Sequence, residues 1–313
     1  MIIVAQDESG NFLSIQAAID ALEGTDPATI FIRRGVYYEK IHLNRSDVTF
    51  IGEDPETTII TFDDYAKKVL EDGSLAQTFR SYTIFLHGDR LTFSNLTFEN
   101  KAGEGKKVGQ AIAASVDGDC IHFKDCCFLG HQDTLFTAPL PPTPIIPGSF
   151  VGPLELSPRK VGRHYYERCY LQGDIDFIFG GATAYFENCT IFSNATEGFS
   201  YITAASTPKG EHYGYVFDHC ELVSEAHKGS VFLGRPWREF AHVVFLNCYL
   251  GAHIHPAGWD NWGKDYQSLK FYEFQNKGPS SSFSKRVNFC KELTPQEVTF
   301  YEKEKVLGNW KPY

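Results

Sequence analysis

The sequence predicts an all-β fold, a single-stranded right-handed parallel β-helix, on three observations. Short strand-like runs punctuated by Gly, Asn and Asp fill the chain from Thr29 almost to its end. Six of these runs superpose as an internal repeat, at residues 91–96, 121–126, 165–169, 185–189, 216–220 and 244–248, each with an aromatic three residues ahead of a Cys or Leu. The aromatics fall at 93, 123, 166, 186, 217 and 245, so the spacing has a minimum of 20 residues and an irregular excess. Coils stacked on one another, with insertions at some corners, give such spacing. Finally, five of the eight cysteines (Cys126, Cys169, Cys189, Cys220 and Cys248) share one phase of the repeat. That phase places them in an inward-pointing stack, where a free thiol packs well. No Cys-x-x-Cys pair and no Cys/His set has zinc spacing. Disulfides along the stack are disfavoured, because neighbouring strands lie about 4.8 Å apart with parallel side-chain vectors.

The elements follow in order. Ile2-Ile3-Val4-Ala5 is strand-like. Residues 14–22 predict a short amphipathic helix, with Ser14 as N-cap and Ile15, Ala18, Ile19 and Leu22 on one face. Strands are expected at residues 29–32, 35–39 and 48–52, and then at each repeat. A Pro-rich insertion at about 138–161 holds seven of the 15 prolines; it reads as a stiff loop at the site or as a surface excursion. Near the end, Thr294-Pro295-Gln296-Glu297 matches a capping box with Pro at the first helical position. A C-terminal helix from Pro295 to about Leu307, stopped at Gly308, is expected to close the end of the solenoid against Tyr301 and Trp310. The whole chain, 1–313, reads as a single domain.

Composition limits the partners. With 42% hydrophobic residues the chain has ample material for a core. There are 39 acidic and 29 basic residues, a net charge of −10, and the Lys and Arg residues are scattered, so nucleic acid is disfavoured. Any polyanionic partner must be met by a few local cations. No run of eighteen apolar residues spans a membrane, and no signal segment opens the sequence. A cytoplasmic monomer is expected, or a secreted one if a signal was trimmed.

Two stretches carry chemistry: Gly130-His131-Gln132-Asp133-Thr134-Leu135 and Gly173-Asp174-Ile175-Asp176-Phe177-Ile178-Phe179-Gly180. Each sets carboxylates inside an apolar run, where an ionised Asp is costly unless it is paired or used, and two such runs suggest one site. Asp174 and Asp176 lie on one face of a regular strand, so spacing leaves the choice between them open. Gln132 and Asp133 would point to opposite faces unless the chain bends, for which Gly130 is the candidate hinge. Phe179, Trp237 and Trp259 are aromatic candidates for contact with a bound ligand; either Trp could instead be a core plug. Arg238 reads as a contact for a free carboxylate or as a solvated charge. The histidines show no metal-ligand spacing, and no Gly-x-Ser-x-Gly elbow is present.

Five blocks, Gly35-Val36-Tyr37-Tyr38-Glu39, Gly109-Gln110-Ala111-Ile112-Ala113, Gln132-Asp133-Thr134-Leu135, Asp176-Phe177-Ile178-Phe179-Gly180 and Leu233-Gly234-Arg235-Pro236-Trp237, resemble in order the signature blocks of pectin methylesterases. The resemblance implies a right-handed parallel β-helix that hydrolyses C6 methyl esters of galacturonate units in pectin or methylated oligogalacturonides, without metal or organic cofactor. It implies Asp176 as nucleophile, Asp133 as acid and then base, Gln110 and Gln132 as oxyanion donors, and Arg235 as the cation holding Asp176. On that scheme Arg235 would lower the Asp176 pKa while that of Asp133 is raised. The long Pro-rich insertion looks more like bacterial members than plant ones, and with the missing signal it suggests short imported oligomers as substrate. A lyase, a polygalacturonase or a non-catalytic carbohydrate-binding solenoid are the alternatives.

Overall fold

The computed structural model describes residues 1–312. Its strands form three sheets of 11, 7 and 8 strands in which every pairing is parallel. From Ala28–Ile32 to Val231–Pro236 the chain visits the three sheets in the same order in seven successive coils. This is a parallel β-helix, as the repeat predicts.

The six repeat aromatics stand in register in the 11-stranded sheet, and Phe50 adds a seventh rung below them. Successive rings lie 4.4–5.1 Å apart and within 14° of parallel. Two residues after each repeat aromatic the backbone turns left-handed, at Asn95, Asp125, Arg168, Asn188, His219 and Asn247, with φ between 50° and 56°. That turn carries the chain from the first sheet to the next. Asn and Asp tolerate it; Arg168 and His219 do so at some cost in strain. The following thiols are buried and unbridged. In Cys169, Cys189, Cys220 and Cys248 each donates to the carbonyl of the aromatic one coil earlier.

Ser14 caps the helix Ile15–Asp20, which buries Ile15, Ala18 and Ile19 against the first coil. Its first N–H groups also donate to the Glu39 carboxylate, at 2.9 Å each. The capping box at Thr294 and Glu297 forms, but the C-terminal helix is shorter than expected: Pro295–Val298, a 3-10 turn Thr299–Tyr301, then Lys303–Val306. Glu302 breaks it with ψ 138°. Nor does this segment close the solenoid. It runs back along the outer face of the 11-stranded sheet, packing Tyr301, Val306 and Leu307 against Tyr165, Tyr185, Val216 and Val244. Lys303 bonds to Glu187, and Arg163 donates to the Leu307 carbonyl. The end is closed instead by Trp259 and Phe271, stacked at 4.3 Å, over the buried Glu273–Arg286 pair. Glu273 takes the place of an aromatic beside Phe245, so the ladder stops there.

The Pro-rich segment leaves the strand Leu135–Thr137 and returns at Arg163–Glu167 without strand or helix of its own. Leu140, Phe150 and Leu154 are buried against Phe79, Phe136 and Phe179. The Arg159 guanidinium ties it by donating to the carbonyls of Pro141, Leu154, Glu155 and Ser157.

Candidate active site

The site is built on the outward face of the seven-stranded sheet. Across it Phe85, Ser115, Phe136, Phe179, Ala204 and Arg235 stand in one register row. The two carboxylates enter from irregular backbone beside this row. Asp133 has φ 65° and Asp176 φ 50°, both in the left-handed region. Asp tolerates this conformation, which the solenoid also uses at its corners, and here it swings the two side chains out of strand alternation. The bend therefore sits at Asp133 itself. Gly130 serves differently, because a Cβ there would lie 2.7 Å from the Thr134 hydroxyl, which ties the loop by donating to the carbonyls of His131 and Gln172.

At Asp176 the pairing with Ser200–Ala205 shifts between Ile175 and Ile178. This bulge parts the two carboxylates that spacing left equivalent. Asp174 turns to the Ile175 N–H at 2.7 Å and to His131 Nδ1 at 3.2 Å. Asp176 accepts two bonds from Arg235, Nε at 2.8 Å and Nη2 at 2.7 Å. The guanidinium is itself held between the rings of Tyr201 and Trp262, 3.9 and 3.8 Å from their centres.

A cavity of about 440 Å³ collects Gln110, Gln132, Asp133, Asp176, Phe179, Arg235 and Trp237. All five candidate catalytic residues thus meet, with two of the three candidate aromatics. Trp259 does not join them. Its backbone bridges to Gly234 in the row that faces inward, a glycine whose Cβ would instead lie 1.9 Å from the Thr203 hydroxyl. It is 1% exposed, and its N–H donates to Glu273. The expected ligand contact at Trp259 is therefore replaced by a core plug. Gln132 packs against the helix Gly105–Val108 so closely that a Cβ on Gly105 would lie 2.5 Å from its Oε1.

Burial, then the Asp176 charge, drives the Asp133 pKa well above the ordinary carboxyl range, and Arg235 offsets only part. Asp176 is also raised: burial outweighs the bonds and charge of Arg235, so the expected fall does not occur. The order survives, since the bidentate cation serves Asp176 directly. The arrangement favours the protonated form of one carboxyl beside another whose ionised form is bound by a guanidinium, with two side-chain amides lining the same cavity. Such a set can supply a nucleophile, a proton donor and hydrogen-bond donors around one space.

The cavity also takes in groups the sequence did not mark. Ile145, Ile146 and Phe150 come from the Pro-rich segment, Phe79 from an earlier loop, and Trp262 and Lys264 from the loop after Trp259. These lie outside the repeat, so no periodicity flags them; for the first three the Pro-rich composition of the insertion, which left a loop at the site and a surface excursion both open, was the signal. Arg238 lines the cavity too, with Arg235 and Lys264, so the few local cations expected for a polyanion are in place. Among the described residues, no group of three His, Cys, Asp or Glu is placed to hold a metal ion, and no helix is long and apolar enough to cross a membrane.

A family model described as Pectinesterase matches residues 1–140 and 159–308, leaving out most of the Pro-rich segment. Pectinesterase 31 of Arabidopsis thaliana is 35% identical over 95% of this chain and 89% of its own length. The chain spans 39–53% of several plant relatives named pectinesterase/pectinesterase inhibitor. These sequence relatives are plant proteins and lend no support to a bacterial affinity. Among solved structures, the pectin methylesterase PemA from Erwinia chrysanthemi superposes with a TM-score of 0.83 at 27% identity, covering 100% of this chain and 98% of that one. A pectin methylesterase in complex with a hexasaccharide superposes with the same score, identity and coverage. The family match and the near full-length similarity in both sequence and coordinates agree, and the chain belongs to the pectinesterase family.

Proposed function

We propose that the chain removes C6 methyl esters from galacturonate units of pectin or its methylated oligomers. The observation that carries this reading is the pair Asp133 and Asp176, facing one cavity with Arg235 bound to Asp176 alone. An Asp176 oxygen attacks the ester carbonyl carbon, and the amides of Gln110 and Gln132 donate to the developing oxyanion. As the tetrahedral species collapses, Asp133 gives its proton to the departing methoxide, which leaves as methanol. Water, losing a proton to Asp133, then hydrolyses the acyl-Asp176 anhydride and frees the galacturonate carboxyl. Phe179 and Trp237 offer apolar faces to the sugar rings. Family membership favours ester hydrolysis over the lyase, polygalacturonase and binding-module readings, and the hexasaccharide bound to a similar structure supports an oligosaccharide substrate. All the site residues come from one chain, so a monomer suffices, acting as one domain with 138–161 as an insertion.

The insertion is what this reading takes as bacterial in character. It sets Ile145 and Ile146 beside the cavity, and short methylated oligomers are the proposed substrates. The test is methanol release from highly methylated pectin and from a methylated trimer, with chelator present and chain scission monitored. Methanol without scission is expected, with higher turnover on the trimer. Scission, or binding without methanol, would overturn the esterase reading, and strong preference for polymer would overturn the oligomer preference.

A further inference from the structure

Lys264 shares the cavity with Asp176 and Arg235 yet has no part in the acyl-transfer scheme. Its Nζ donates to the carbonyls of Pro236 at 2.8 Å and Trp237 at 3.3 Å, the two residues that follow Arg235. It also lies 4.2 Å from the centre of the Trp262 ring, the same ring that stacks on the Arg235 guanidinium. One indole and one stretch of backbone therefore fix both cations. The charges facing Lys264 are Arg235 and Arg238, which repel it, and Asp176, which attracts it. The ring of Tyr266 stands 5.4 Å away. On its own loop Asp260 is turned to the Trp262 N–H, and Asp265 accepts from the Gln267 amide. Among the described residues Lys264 has no carboxylate at ion-pair distance, and Asp176 is the acid its charge serves.

Building on the assignment of Asp176 as nucleophile, we propose that Lys264 is a positioning residue that, together with Arg235, keeps Asp176 ionised and so sets the acid limit of activity. Two further facts agree. The Lys264 charge works to lower the Asp176 pKa against burial. Burial and the two neighbouring guanidinium groups hold Lys264 itself down at about 8, so this support weakens as pH rises past that value.

The test is kcat and kcat/KM against pH for wild type, Lys264→Met and Lys264→Arg, each checked for native melting behaviour. Without the charge Asp176 protonates more readily, so Lys264→Met should move the acid limb of kcat/KM up by about half to one pH unit. Its KM should stay within about twofold of wild type, and Lys264→Arg should restore the wild-type limb. An unmoved acid limb in Lys264→Met with raised KM would make Lys264 a substrate contact and overturn the inference. Equal impairment of both variants with unmoved limbs would reduce it to a tie between loops and overturn it likewise. Titration of the ¹³C-labelled Asp176 carboxyl reads the same shift without turnover. A wild type that releases no methanol therefore sinks the proposed function, whereas an unshifted Asp176 in Lys264→Met sinks this inference.

Discussion

A carboxyl buried beside a guanidinium and one buried without it hold their protons differently, and Asp176 and Asp133 are such a pair. Asp133 must be protonated to release methanol, so the rate falls as pH rises through its raised pKa. Asp176 must be ionised to attack, so the rate falls as pH drops through its lower one. A bell-shaped profile is expected, with Asp133→Asn abolishing its alkaline limb along with most of the rate. Asp176→Asn should lower kcat by about 10⁴-fold or more, and Arg235→Lys by about 10²-fold through loss of the bidentate geometry. Methanol-release kinetics check all three. The same shift has a stability sign. With its native pKa above the unfolded one, Asp133 favours folding while protonated, and that contribution is lost as pH rises from the ordinary carboxyl value through the native one. Asp133→Asn should therefore gain on wild type in urea unfolding at pH 8, by about 1–2 kcal/mol, and less at pH 5.

At the scale of elements, the corners of the solenoid decide what the strands present. The left-handed turn after each repeat aromatic delivers the next side chain inward, Leu96 in the first repeat and a thiol in the other five, and burial raises Cys126, Cys169, Cys189 and Cys220 well above the usual thiol range. These thiols should resist a thiol-reactive disulfide reagent in the native protein and react only on unfolding; ready labelling in native buffer would refute the stack. The short helix Gly105–Val108 acts on the site through one missing methyl group. Gly105→Ala should displace Gln132 and lower kcat by about 10- to 100-fold, with melting temperature nearly unchanged. The repeat made the strands and the thiol phase legible. It said nothing of the corners, because Asp133 and Asp176 enter the cavity through left-handed turns and a bulge that no alternation rule anticipates.

Across the whole molecule, the two tryptophans that looked alike in sequence divide between stability and binding. Trp259 plugs the end of the core with Phe271, so Trp259→Ala should cost about 3–5 kcal/mol, read by denaturant unfolding. Trp237 lines the cavity against Phe79 and Phe150, so Trp237→Ala should raise KM with a far smaller loss of stability. If the two variants exchanged these effects, the division would be wrong. The C-terminal segment follows the same logic. Its capping box was readable, but where it docks was not, because the outer face of the 11-stranded sheet offers Tyr165, Tyr185, Val216 and Val244 only once the coils are stacked.

The sequence by itself determined the solenoid, its inward aromatic and thiol rows, and the five residues that converge on one cavity. These rest on periodicity and on blocks that are local in the chain. Tertiary structure alone pointed Asp174 and Asp176 apart where strand spacing left them equivalent and only the block resemblance separated them, turned Trp259 inward, brought Lys264, Trp262 and the Pro-rich segment to the cleft, and let burial outweigh Arg235 at Asp176. Each of those outcomes depends on which coil lies beside which and on how much water is excluded there, and neither quantity is written in the spacing of residues along one strand.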